Sequence, residues 1–199
     1  MKLKWLPYAL FFCASIYAEA QDNFKIIASE DTYVQGGETS AKAMGETSKK
    51  QLRISNSNAK NKYARITYLK FLLPKKLKSM ESAMLHIPVK VFNKTDDLEK
   101  TFKLDVYTVQ SDNWNESTLT WDTKPEVNKK VGSINLKKTE GKQSEWQEIV
   151  LNTYEIFKMH SRKDTTITLA LLNTDFNKTA AICPSKEQSI SSAAYLVIK

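Results

Sequence analysis

Ala64-Arg65-Ile66-Thr67-Tyr68-Leu69-Lys70-Phe71-Leu72-Leu73 is the stretch that decides the fold. Strand side chains point alternately to opposite faces, so Arg65, Thr67, Leu69 and Phe71 share one side and Ile66, Tyr68 and Lys70 the other. Leu85-His86-Ile87-Pro88-Val89-Lys90-Val91 repeats the pattern, with apolar odd positions and His86, Pro88 and Lys90 between them. Proline donates no backbone hydrogen bond. Pro88 therefore places this strand at an edge or bulge, or turns its nitrogen away from a neighbour. Further out, β-rich runs separated by polar breaks cover residues 24–34, 51–57, 63–73, 83–92, 102–109, 131–136, 146–151, 166–172 and 193–198. Residues 152–160 read as a short helix, capped by Thr153, with Ile156, Phe157 and His160 toward the core. About nine strands with at most one short helix predict an all-β fold, an antiparallel β-sandwich of the jelly-roll kind.

The chain has 199 residues, which suits one domain. It carries 30 Lys+Arg against 22 Asp+Glu and is formally +8 at neutral pH. Only three of the basic residues are arginine (Arg53, Arg65 and Arg162). A dedicated nucleic-acid reader relies on arginine forks for guanine and phosphate, so nucleic acid is not the expected partner. Residues 1–20 combine Lys2 and Lys4, a largely apolar run from Trp5 to Ala18, and the A-x-A site Ala18-Glu19-Ala20. That is the pattern of a secretory signal peptide cleaved after Ala20, leaving one domain over residues 21–199. The apolar run is shorter than the ~20 residues a spanning helix needs, so no membrane span is expected. The expected destination is extracellular or periplasmic. Cleavage removes Cys13 and leaves Cys183, which sits in the apolar stretch Ala180-Ala181-Ile182-Cys183 and reads as a small buried hydrophobe.

Catalytic signatures are missing. His86 and His160 are the only histidines and have no metal-ligand spacing. No G-x-S-x-G, reactive Cys–His pattern or glycine-rich phosphate loop occurs. Carboxylates for glycosidic chemistry exist (Glu116, Glu145, Glu148, Glu187), but sequence spacing says nothing about their separation in space. Asn93, Asn115 and Asn177 begin N-x-S/T sequons.

Three blocks, in order along the chain, resemble one bacterial extracellular family. Ala28-Ser29-Glu30-Asp31-Thr32-Tyr33-Val34, followed by Gly36-Gly37, Gly45 and Gln51-Leu52-Arg53-Ile54, is similar to the A-x-D-x-Y-V opening, glycine-containing loop and L-x-V strand of DNRLRE-type domains. The segment from Ala64 to Leu73, with Ser82-Ala83-Met84-Leu85 after it, resembles their R-x-Y-L-[RK]-F-D-L strand and S-A-x-L. Trp114-Asn115-Glu116-Ser117-Thr118-Leu119-Thr120-Trp121, ending at Pro125, resembles their W-x-E-x-x-[LI]-T-W-x-x-x-P signature. Ser185-Lys186-Glu187 and Ala194-Tyr195-Leu196-Val197 resemble the closing S-R-E and P-x-L-x-V. This family includes the alginate-binding carbohydrate-binding modules of family 96. The resemblance implies a β-sandwich and a non-catalytic, carbohydrate-binding role, toward an acidic polysaccharide. Three positions depart from the pattern. Leu72 stands where the family usually has Asp, Gln35 near where many members carry Arg, and Lys186 at the S-R-E arginine.

A basic surface outside the cell attracts uronic-acid or sulfated glycans through long-range steering. The candidate carbohydrate-binding residues are Lys70 and Tyr68, which share a strand face, with Arg65, Arg53 and Lys186. Trp114 and Trp121 either stack on sugar rings or clamp a turn onto the core. The intervening Thr and Leu residues and Pro125 favour the clamp. No catalytic cofactor is expected; a structural Ca²⁺ remains open, with Asp31 as candidate ligand. Two further readings stand beside the carbohydrate-binding one. One is a structural or adhesive extracellular or cell-envelope sandwich protein, and the other a polysaccharide lyase or hydrolase, which would need a cleft at Tyr68 or a carboxylate pair.

Overall fold

The computed structural model describes residues 23–45, 50–75, 77, 79–93, 101–160 and 165–199. The expected signal sequence, Cys13 and Arg162 lie outside the described residues. Eleven strands and one helix follow in the order β1 Phe24–Ile27, β2 Glu30–Gln35, β3 Gln51–Ile54, β4 Arg65–Leu72, β5 Ala83–Asn93, β6 Phe102–Val109, β7 Val127–Leu136, β8 Glu145–Val150, α1 Thr153–His160, β9 Thr166–Leu172, β10 Thr179–Pro184 and β11 Tyr195–Ile198. All named pairings are antiparallel. A six-stranded sheet runs β1-β11-β5-β10-β3, with β8 also paired to β5, and a five-stranded sheet runs β2-β4-β9-β6-β7. The expected antiparallel β-sandwich with one short helix is what forms.

The alternation read in β4 sets the layers. Leu69 and Phe71 enter the main core between the sheets, against Leu85, Ile87, Leu104, Ile167 and Leu196. Full burial of such side chains is worth about 1.5–3 kcal/mol each, so this layer is the main source of stability. Tyr68 and Ile66 face the other way and are nevertheless buried, in a second, smaller cluster with Trp114, Leu119 and Leu172.

Three details differ from the expected elements. The run at 24–34 is two strands. Ala28 N–H donates to Ala194 O, whereas Ser29 N–H donates to Lys70 O, so the chain crosses from the six-stranded to the five-stranded sheet within one peptide. β10 is an added strand, entered from Lys178 at φ 63°. Asn152, not Thr153, caps the helix, because its Oδ1 accepts from Glu155 N–H at 3.1 Å.

Pro88 sits in the interior of its sheet at a break between partners. Ala83 O and the backbone of Val91 bond on the β8 side, so odd positions of β5 face β8 and even positions face the opposite edge. On that edge β11 pairs no further than His86 and β10 begins pairing at Lys90. Pro88 falls in the gap, where no ladder hydrogen bond is lost.

Candidate functional site

The two outward faces of the sandwich have different fates. Over the five-stranded sheet lies the segment between β6 and β7, which contains the Trp114–Trp121 block. Trp114 is 9% exposed and meets the Tyr68 ring edge-on at 6.1 Å between centroids. Its indole N–H donates to Thr168 Oγ1 at 2.9 Å. Tyr68 OH donates to Pro125 O at 3.1 Å, and burial pushes its phenol pKa upward. Trp114 is therefore a clamp, as its flanking residues suggest. Trp121, half-buried, carries the Lys124 ammonium 4.6 Å from its ring and packs against the same cluster.

Lys70 lies under this cover and is only 7% exposed. Its ammonium pairs with Glu30 at 2.9 Å, donates to Trp114 O, and sits 4.5 Å from the indole ring. The register explains the pair, since Glu30 is directly opposite Lys70 on β2. Lys70 and Tyr68 do share a face, but that face holds the cover in place and offers neither group to an external chain. Replacing Lys70 by Met would leave Glu30 without its counter-ion. The expected loss is about 2 kcal/mol of unfolding free energy, measured by urea titration.

Of the remaining candidates, Arg53 and Arg65 come together and Lys186 stands apart. Arg53 on β3 and Arg65 on β4 line a groove of about 640 Å³ with Tyr63, Phe92 and Lys178. Arg65 is anchored by Nε–H donation to Gln35 Oε1 at 2.8 Å. Burial, reinforced by the neighbouring Arg53 charge, lowers its pKa. Arg53 Nε is buried without a hydrogen-bond partner.

This groove opens onto the outward face of the six-stranded sheet, where sequence reasoning missed several side chains. In register across the strands stand Ile27, Tyr195, His86 and Glu148, then Pro88 beside Trp146, then Lys90, Ile182 and Arg53. Trp146 is 47% exposed. Tyr195 lies between the His86 ring, stacked at 4.6 Å and 8°, and the Lys25 ammonium 4.0 Å from its centroid. Trp146 meets Tyr195 at 5.4 Å. A second recess of about 390 Å³ lies beside the first, lined by Trp146, Lys90, Lys142, Ile182 and Pro184 among others. The two share β10 as floor, with Ala180 in the first and Ile182 and Pro184 in the second. The signal was present in the sequence, since Trp146 and Glu148 share the outward phase of their strand, as do His86 and Lys90 of theirs.

Lys186 instead joins an acidic cluster at the sandwich rim. Its ammonium pairs with Glu116 at 2.8 Å and with Glu187. Burial opposes that charge, but the hydrogen bonds and charges of the two carboxylates outweigh it and hold the pKa at about 12. Asp31, opposite Leu69 in register, points between the sheets and is 3% exposed. Burial pushes its carboxyl up to about 7, against the opposing pull of the Lys186 backbone N–H, which donates to Oδ2 at 2.8 Å.

Elsewhere, Cys183 is a buried free thiol whose pKa burial raises, as its apolar setting predicts. His160 bonds Pro74 O at 3.0 Å. No helix among the described residues is long and apolar enough to cross a membrane.

Among the described residues, the sandwich thus has one covered face and one open face that carries aromatic and cationic side chains. The model of carbohydrate-binding module family 96 matches residues 22–199, and the chain belongs to that family. No curated protein matches it significantly. Among solved structures, the CBM22-1–GH10 modules of Clostridium thermocellum endo-1,4-beta-D-xylanase 10B, complexed with xylohexaose, align at 14% identity and a TM-score of 0.30. That alignment covers 87% of this chain and 28% of the xylanase chain, so this chain spans little more than a quarter of that length.

Proposed function

We propose that this protein is a secreted, non-catalytic module that binds an acidic polysaccharide, alginate foremost, along the open face of its six-stranded sheet. One observation carries the reading. The two adjoining recesses on that face present Arg53, Arg65, Lys178, Lys90 and Lys142, and no carboxylate among the described residues lines either of them. Cations left unneutralised on a rigid sheet suit a polymer that brings its own repeating negative charge. Arginine forks add bidentate geometry for carboxylates, and lysines add charge. Trp146 supplies a flat apolar surface for the faces of sugar rings. The leader-like sequence of residues 1–20 supports export to an extracellular or periplasmic location, where such polymers occur.

Affinity electrophoresis tests this directly. Alginate cast into a native gel is expected to retard the protein, pectin or a sulfated glycan to retard it to some degree, and a neutral glucan to leave it unmoved. Added salt is expected to weaken the retardation, because exposed charges are screened within about 10 Å at 0.1 M. Equal mobility with and without every acidic glycan would rule the reading out in favour of a structural or adhesive role.

A further inference from the structure

We propose that Asp31, Glu116 and Glu187 form a binding site for a calcium-class divalent cation, with the Lys186 ammonium as an internal competitor for it. The three residues come from β2, from the cover over the five-stranded sheet, and from the turn after β10. One carboxylate oxygen from each lies within 4.8 Å of the others. An ion held 2.3–2.6 Å from each oxygen accommodates that spread.

A second observation points to a ligand. Asp31 Oδ1 is buried and has no hydrogen-bond partner, on a side chain only 3% exposed that lines the recess shared with Glu116 and Glu187. A buried, unpaired carboxylate oxygen costs free energy unless something positive meets it. The Lys186 ammonium meets the other two carboxylates, and only its backbone N–H reaches Asp31, at Oδ2. The recess holds about 210 Å³, room for an ion with water ligands. Its wall depends on Gly45, where a Cβ would fall 2.1 Å from Glu116 O.

The donor set decides the metal. All-oxygen ligands select a hard cation over zinc or copper, which favour nitrogen and sulfur. Three carboxylates from distant parts of the chain suit the irregular shell of Ca²⁺ better than the strict octahedron of Mg²⁺. The Lys186 side chain is 21% exposed, so its long stem can carry the ammonium into solvent when the ion enters. That competition weakens binding and places the dissociation constant at roughly 10⁻⁴–10⁻³ M, the range of extracellular calcium modules.

The test is thermal unfolding of the full chain in EDTA and in 10 mM CaCl₂, together with Tb³⁺ luminescence sensitised by tryptophan. Trp114 lies two residues from Glu116 and serves as the donor. The expected results are a rise of about 5 °C with calcium, Tb³⁺ emission quenched by added Ca²⁺, and at least tenfold tighter binding in Lys186→Met. Asp31→Asn is expected to abolish both responses. Should that variant fail to fold, Glu187→Gln on the exposed turn is expected to weaken Tb³⁺ binding at least tenfold. No thermal shift and no sensitised emission in the native chain and in Lys186→Met would overturn the proposal. These elements lie off the glycan-binding face, so polysaccharide retardation is scored separately and either result stands without the other.

Discussion

Trp114→Ala is expected to lower the unfolding free energy by about 3–5 kcal/mol, the range for truncating a large buried aromatic. The indole fills the space over Tyr68, bonds Thr168, and roofs the Lys70 ammonium, so one truncation reaches three partners. With the roof gone, water reaches the Lys70–Glu30 pair, and the Leu119 anchor of the cover loses its neighbour. Trp114→Phe keeps most of the packing but strands Thr168 Oγ1, at an expected cost of about 1–2 kcal/mol. Urea titration measures both, from midpoints at constant m-value. A loss below 1 kcal/mol for the alanine variant would show that the cover does not stabilise the sandwich. Glycan binding by whatever folded protein remains is expected to persist, because the cover and the open face belong to different sheets.

The second large effect belongs to the open face. Arg53→Ala and Trp146→Ala are each expected to weaken acidic-glycan binding about tenfold, and the pair together about a hundredfold. Arg53 has an unpartnered buried Nε in a groove lined by no carboxylate among the described residues, so removing it deletes a cation with no counter-ion among them. Trp146 stands half-exposed on β8, and its removal takes away stacking area while disturbing little of the core. The two sit on different strands in different recesses, so near-additive losses are expected. Arg65 is a poorer choice for this test, since its bonds to Gln35 at the end of β2 and to Ser55 just after β3 also link the two sheets.

Much of this was legible from alternation. The β4 pattern placed Leu69 and Phe71 in the core, and the β5 pattern placed Leu85, Ile87 and Val89 there. What alternation cannot report is what covers the other face. Tyr68 and Lys70 occupy the outward phase of β4, and only the tertiary path of the Trp114 block makes that phase an interior. Trp146, Tyr195 and Lys25 belong to strands far apart in sequence, and their grouping depends on β1, β11, β5 and β8 lying side by side. β10 escaped because it ends at Pro184 and has the small residues Ala180 and Ala181 where a bulkier pattern would announce a strand. Asp31 was singled out from the opening motif, whereas its association with Glu116 and Glu187 depends on the meeting of three distant segments.

The proposed binding of an acidic polysaccharide along the open face of the six-stranded sheet is open to direct measurement. Isothermal titration with sodium alginate, at low and at 0.5 M salt, tests it most directly on the native chain and on the Arg53→Ala/Trp146→Ala variant, each first shown to unfold at the same temperature. Binding by the native chain is expected to weaken with salt, with a loss of about a hundredfold in the variant. Equal affinity in the two proteins would contradict the proposal.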